Sequence, residues 1–182
     1  MPIPDGYCVP RNPPAATRGE HSNAAGHVLA SLAYVQGCGA NNEGESIFLK
    51  YIRNFDPKAP SREVFLALAA KRMGSTAYIG EQESESFANR VEHRTETTTG
   101  RKIDAQIAAS HVGHDKLCVY QVRTMTVALA GDAVGTVRMA SCTTLINGRV
   151  VTIDVASTSG EDGFDTMVRR LHAITASIEP VS

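Results

Sequence analysis

From residue 91 onward, apolar and polar positions mostly alternate along the chain, and near the end the spacing widens to three and four. Alternation puts successive side chains on opposite faces of an extended strand. It predicts strands over 91–98, 102–110, 117–130, 134–146 and 149–156, parted by the turn residues Thr99-Gly100, Gly113-His114-Asp115, Gly131-Asp132 and Asn147-Gly148. Asn-Gly between two β-rich runs suits a two-residue hairpin loop, because both positions need φ > 0. That turn sets Leu145 opposite Val150, Thr144 opposite Val151 and Cys142 opposite Ile153, with Val151, Ile153 and Val155 on the core face. Phe164, Met167, Val168, Leu171, Ile174 and Ile178 then form one helical stripe, stopped by Pro180. Ser159-x-x-Asp162 supplies a start signal for this helix.

The first half reads differently. Residues 1–14 are a Pro-rich irregular lead. Ala25, Val28, Leu29 and Leu32 follow i, i+3, i+4, i+7, which predicts a helix from about Ala15 to Gln36. Gly37, Gly39 and Asn41-Asn42-Glu43-Gly44 then make a loop. Ser46–Arg53 reads as a strand, and Ser61–Met73 as a helix with Phe65, Leu68, Ala69 and Met73 inward. Residues 77–79 are a short apolar piece of undecided state, and 81–90 suit a short surface helix. The expected fold is a single α+β domain spanning 1–182: an antiparallel sheet of about five or six strands, packed by an N-terminal, a middle and a C-terminal helix.

Composition narrows the function classes. Net charge is −1, with nine Lys/Arg and nine Asp/Glu in residues 1–91 against nine and ten in 92–182. Nucleic-acid binders concentrate positive charge to neutralise phosphates, so this evenness argues against DNA or RNA as a partner. No apolar run is long enough to span a membrane. Met1-Pro2-Ile3-Pro4 opens without a signal peptide, which fits either a cytosolic chain or a mature exported one.

The cysteines favour export. Cys8 and Cys38 bracket the first expected helix, and Cys118 and Cys142 lie in two strands of one sheet. Two local pairs suit disulfides in an oxidising compartment; a Cys8–Cys38 bond would contribute roughly 3 kcal/mol through the unfolded state. The alternative is four buried thiols acting as small apolar residues. A tight turn near 131–133 would set Cys118 opposite residues near 145, about 10 Å along the strand from Cys142, which weighs against the second bond.

The text Thr143-Thr144-Leu145-Ile146-Asn147-Gly148-Arg149-Val150-Val151-Thr152-Ile153, followed by Phe164 to Ile178 ending in Ala176-Ser177-Ile178, resembles the PsbP/DcrB-like fold. The resemblance implies an antiparallel sheet flanked by helices, and a binding or accessory role in an exported or lumenal protein. It assigns no functional residue.

Candidate chemistry is sparse. His111, His114 and Asp115 could offer two imidazoles and a carboxylate to a metal, though turn residues in solvent explain them as well. Cys118 or Cys142 as a nucleophile would need a nearby base, with His93 or His172 available. Glu81, Glu83 and Glu85 read as a solvated segment, and Thr95, Thr97, Thr98 and Thr99 as exposed β-formers. Nucleotide-binding, serine-hydrolase and zinc-protease signatures are missing, and no cofactor is implied. The expectation is a non-catalytic exported protein, periplasmic or secreted in a bacterial cell envelope, that binds a protein partner or small ligand. A small hydrolase or transferase using His93, His111 or His172 as base stands as the first alternative. A cytosolic interaction domain is the second.

Overall fold

The computed structural model describes residues 3–13, 20–22, 28–39, 42–74, 85, 88–89, 91–93, 95–97, 100, 102–129, 132–158 and 163–178. Strands β1 (Tyr7–Cys8), β2 (Glu20–Ser22), β3 (Val28–Gly37), β4 (Glu45–Arg53), β5 (Ile103–His114), β6 (Val119–Leu129), β7 (Asp132–Ile146) and β8 (Arg149–Ser157) form one eight-stranded sheet. Its order is β1-β3-β4-β8-β7-β6-β5, with β2 also paired to β3, and every pairing is antiparallel. Among the described residues three helices accompany it: α1 (Arg62–Gly74), α2 (the helical residues among 85–97) and α3 (Phe164–Ser177).

This corrects the α+β expectation of a sheet of about five or six strands packed by an N-terminal, a middle and a C-terminal helix: the molecule is mostly sheet, with eight strands and short helices, and the N-terminal helix is replaced by strands. The largest change is at the N-terminal side. The stretch expected as a helix from 15 to 36 contains β2 and most of β3, while 14–19 and 23–27 lie outside the described residues. The register of β3 against β4 shifts between Ser31 and Ala33. Such a bulge breaks alternation by one residue and leaves a spacing that mimics 3.6. Leu32, at the bulge, is 55% exposed while Ala30 and Val35 are buried.

The second correction is at 91–98, read as a strand. Residues 91–93 and 95–97 are helical, and the Thr97 hydroxyl donates to the His93 carbonyl one turn back. Gly100, at φ +69°, ends the segment by donating its N–H to the Glu96 carbonyl. α2 serves the edge strand β5: the Glu92 carboxylate accepts the Ala105 N–H at 2.8 Å, tying down one backbone donor there. The expected surface helix over 81–90 is seen at 85 and 88–89, and the 77–79 piece lies outside the described residues.

Sheet and helices meet in two layers. α3 lies on one face, burying Met167, Leu171 and Ile174 against Ile47, Cys142 and Ile153. Each such side chain contributes roughly 1.5–3 kcal/mol by leaving water. The N-cap of the helix is Gly163, and the expected Ser159/Asp162 start lies outside the described residues. α1 covers one end of the other face, where Phe65, Leu66 and Ala70 meet Val119, Leu145 and Val150. Its inward side includes Leu66, 3% exposed, and not the expected Leu68, which is 53% exposed. Ser61 caps it by accepting the Val64 N–H.

The β7–β8 hairpin has the expected register, with Asn147 at φ 49° and Gly148 at φ 72°. Among the described residues, no helix is long and apolar enough to cross a membrane.

Candidate functional site

Both cysteine pairs are bonded, Cys8 to Cys38 and Cys118 to Cys142, with Cα–Cα distances of 6.0 and 5.3 Å. The register objection to the second pair fails for two reasons. The hairpin pairs Leu129 with Asp132, and even after the one-residue shift at Ala128/Leu129 Tyr120 lies opposite Cys142, so Cys118 lies only two positions diagonal to its partner. Cys118 also precedes the first paired residue of β6 and is drawn back by a turn, in which Asp115 N–H donates to the Cys118 carbonyl.

That turn builds the first candidate cluster. Asp115 Oδ1 accepts the N–H groups of Leu117 at 2.7 Å and Cys118 at 2.9 Å. Its Oδ2 accepts the Tyr120 hydroxyl at 2.9 Å and lies 3.4 Å from His172 Nε2 of α3. Partial burial alone would raise the Asp115 pKa. The two N–H groups, the Tyr120 hydroxyl and the charge on His172 outweigh it and hold the carboxyl below its ordinary value. Tyr120 is pushed up by its burial and by donating to Asp115. The Cys118–Cys142 bond lies beneath, both residues 0% exposed, with Thr175 Oγ1 at 3.5 and 3.3 Å from the sulfurs.

The second cluster lies at the other disulfide. The Tyr7 hydroxyl donates to Glu45, and the Arg170 guanidinium of α3 donates to the same carboxylate and reaches the Tyr7 oxygen at 3.3 Å. The Glu45 side chain is 2% exposed and that of Arg170 25%. Burial, then the Glu45 carboxylate, push the Tyr7 pKa up despite the opposing charge of Arg170. On the opposite sheet face, Lys50 pairs with buried Asp154 at 2.9 Å and lies 5.1 Å from the Phe48 ring, itself stacked at a tilt on Tyr34.

The histidines scatter. His172 joins Asp115, but His114 is exposed at the end of β5 and His93 is exposed on α2. His111 sits within β5 opposite Gln121, not in a turn, and its side chain lies outside the described set. Among the described residues, no three His, Cys, Asp or Glu gather as metal ligands. Of the exposed segments anticipated, Thr95 is half-buried and Thr97 exposed, both on α2 and not on a strand; Glu85 is exposed. Glu81, Glu83, Thr98 and Thr99 lie outside the described residues.

Clefts are present at the surface of the described residues. One of about 440 Å³ lies between the start of α1 and the Asn147-Gly148 turn, and another of about 300 Å³ beside Cys38 and Glu43. Neither is lined by Asp115 or His172.

Sequence spacing missed both tyrosine–carboxylate clusters, since Tyr7 and Glu45 are 38 residues apart and Glu45 and Arg170 are 125 apart. One local signal existed: Asp115-x-x-Cys118 is the pattern of a turn closed by an aspartate side chain. No protein-family model, curated protein or solved structure matches the chain.

Proposed function

We propose that the protein works outside the reducing cytosol, periplasmic or secreted, as a non-catalytic binding or accessory factor. The observation that carries this reading is that all four cysteines are joined in two disulfides. Thiol-rich compartments keep such bonds reduced, and exported proteins use them to hold termini and sheets. The likeness of the β7–β8 hairpin and α3 to the PsbP/DcrB-like fold points the same way, since its members act mostly as accessory factors. The basic residues of α3 described above are turned to structural clamps: Arg170 holds Glu45, and His172 meets Asp115. The test is to isolate the protein from its source with rapid alkylation and to fractionate the cells. The reading expects no free thiol and an extracytoplasmic fraction. Four alkylated cysteines in a cytosolic fraction would sink it.

A second reading rests on the Asp115–His172 contact, because a carboxylate that orients an imidazole is half of a general-base assembly. A hydrolase or transferase built on it would lose turnover in His172→Ala. Profiling ester, amide and phosphoester substrates with no turnover in the wild type removes this reading.

A further inference from the structure

We propose that the Cys8–Cys38 disulfide is a reducible latch on the N-terminal arm, whose opening uncovers the Glu45–Arg170 pair while the sheet and the Cys118–Cys142 bond stay intact.

The two bonds differ in access. Cys118 and Cys142 are fully buried beneath α3, whereas Cys38 is exposed and Cys8 half-buried. An attacking thiolate must reach a sulfur in line with the bond it breaks, so access governs which disulfide exchanges. The arm has few other holds. β1 pairs with β3 at only two positions, Tyr7 with Gly37 and Cys8 with Gln36. The Gly6 carbonyl accepts the N–H groups of Cys38 at 2.9 Å and Gly39 at 3.2 Å. Ile3 and Val9 on the arm are exposed and add little burial. The other anchors are the Tyr7 ring, buried in the core under α3, its hydroxyl held by Glu45 and Arg170, and a long contact from the Asn42 side chain to the Asp5 carbonyl. A two-residue strand gains too little to offset the entropy of ordering its arm, so the covalent bond keeps the Tyr7 hydroxyl over the carboxylate.

The chemistry balances with a dithiol as reductant, a protein of the thiol–disulfide oxidoreductase class or dithiothreitol in the test. Its thiolate attacks the exposed Cys38 sulfur, and the S–S bond breaks. Cys8 leaves as a thiolate and takes up a proton. The second thiol of the reductant then displaces Cys38 from the mixed disulfide, so two electrons pass to the protein and the reductant ends as a disulfide. The freed arm withdraws Tyr7 and opens the end of β3 and the carboxylate of Glu45 to solvent.

Full-length protein is titrated with dithiothreitol, quenched by alkylation and mapped by mass spectrometry, with hydrogen exchange read on the same samples. The latch expects Cys8 and Cys38 to be alkylated at least tenfold faster than Cys118 and Cys142. Once that bond is open, the Cys38 and Gly39 amides lose protection at least tenfold, while amides within β8 keep theirs. The Cys8→Ser/Cys38→Ser variant gives the same exchange pattern without reductant. Co-reduction of both bonds, earlier reduction of Cys118–Cys142, or retained protection at Cys38 and Gly39 overturns the proposal. So does loss of β8 protection when Cys8–Cys38 alone is open, because the device would then be the fold itself.

Discussion

The surroundings of the two disulfides follow one plan. Beside each lies a tyrosine, Tyr7 or Tyr120, whose hydroxyl donates to a carboxylate, Glu45 or Asp115, which in turn faces a basic residue of α3, Arg170 or His172. The plan is shared but the depth is reversed. At the arm the disulfide is at the surface and the carboxylate is buried, 2% exposed. At the turn the disulfide is buried and the carboxylate is 34% exposed. Depth decides what each part does. A buried bond supports packing and a buried carboxylate demands a permanent partner, which Arg170 supplies at any ordinary pH. A surface bond stays exchangeable, and a surface carboxylate can share a titratable partner such as His172.

The disulfides give the largest contrast. Chain entropy alone makes them nearly equal: separations of 30 and 24 residues differ by only about 0.2 kcal/mol in loop closure. Burial breaks the tie, because deleting two packed sulfurs also leaves a cavity. Cys118→Ala/Cys142→Ala is expected to lose about 5 kcal/mol in urea unfolding, and Cys8→Ala/Cys38→Ala at most about 3 kcal/mol. Equal losses would mean the depth of the bond is irrelevant to global stability.

Next come the carboxylates. Glu45→Ala removes the carboxylate paired with Arg170 at a mostly buried site and is expected to cost about 3 kcal/mol. Asp115→Ala removes a turn whose donors can turn to water, and should cost about 1–2 kcal/mol. Thermal or urea unfolding of both variants orders the pair, and a reversed order would contradict the burial assignment.

Acid sharpens the same comparison. The Asp115 pKa is depressed in the fold, so its contribution is complete above the unfolded value near 4 and is lost as pH falls through the lower folded value. Below about pH 4 the stability of the wild type should therefore fall more steeply than that of Asp115→Asn. Parallel pH profiles from urea unfolding would show that the turn does not hold its carboxylate ionised.

How far the sequence revealed all this varied by region, for physical reasons. The β7–β8 hairpin was legible because Asn147-Gly148 fixes its register locally, and α3 because Met167, Leu171 and Ile174 repeat on one face. β3 was not, since its bulge at Ser31–Ala33 imitates helical spacing and its strand identity comes from pairing with β4. α2 was misread because Val91, Thr95 and Thr97 are β-formers held in a helix by context. The Cys8–Cys38 pair was legible from its local spacing, whereas register spacing argued against the Cys118–Cys142 bond that the fold makes on a diagonal. The tyrosine–carboxylate–base clusters were not, because α3 brings its Arg170 and His172 to them from more than 50 residues away, and tertiary packing alone sets that meeting.

The smallest effect probes α3 itself, where two basic residues two positions apart act differently. The His172 side chain is 49% exposed and 3.4 Å from Asp115. Exposed pairs of this kind contribute about 0–1 kcal/mol, so His172→Gln should change stability by about 0.5 kcal/mol or less. Arg170→Gln instead leaves Glu45 without its cation and follows the larger scale set by Glu45→Ala. A loss above about 1.5 kcal/mol in His172→Gln would exceed what a solvent-screened contact can supply. It would mean that His172, Asp115 and Tyr120 act as one coupled network holding the Cys118 turn onto α3. A double-mutant cycle with Asp115→Asn separates the two cases: coupling within a few tenths of a kcal/mol fits a screened pair, and coupling above about 1 kcal/mol fits the network.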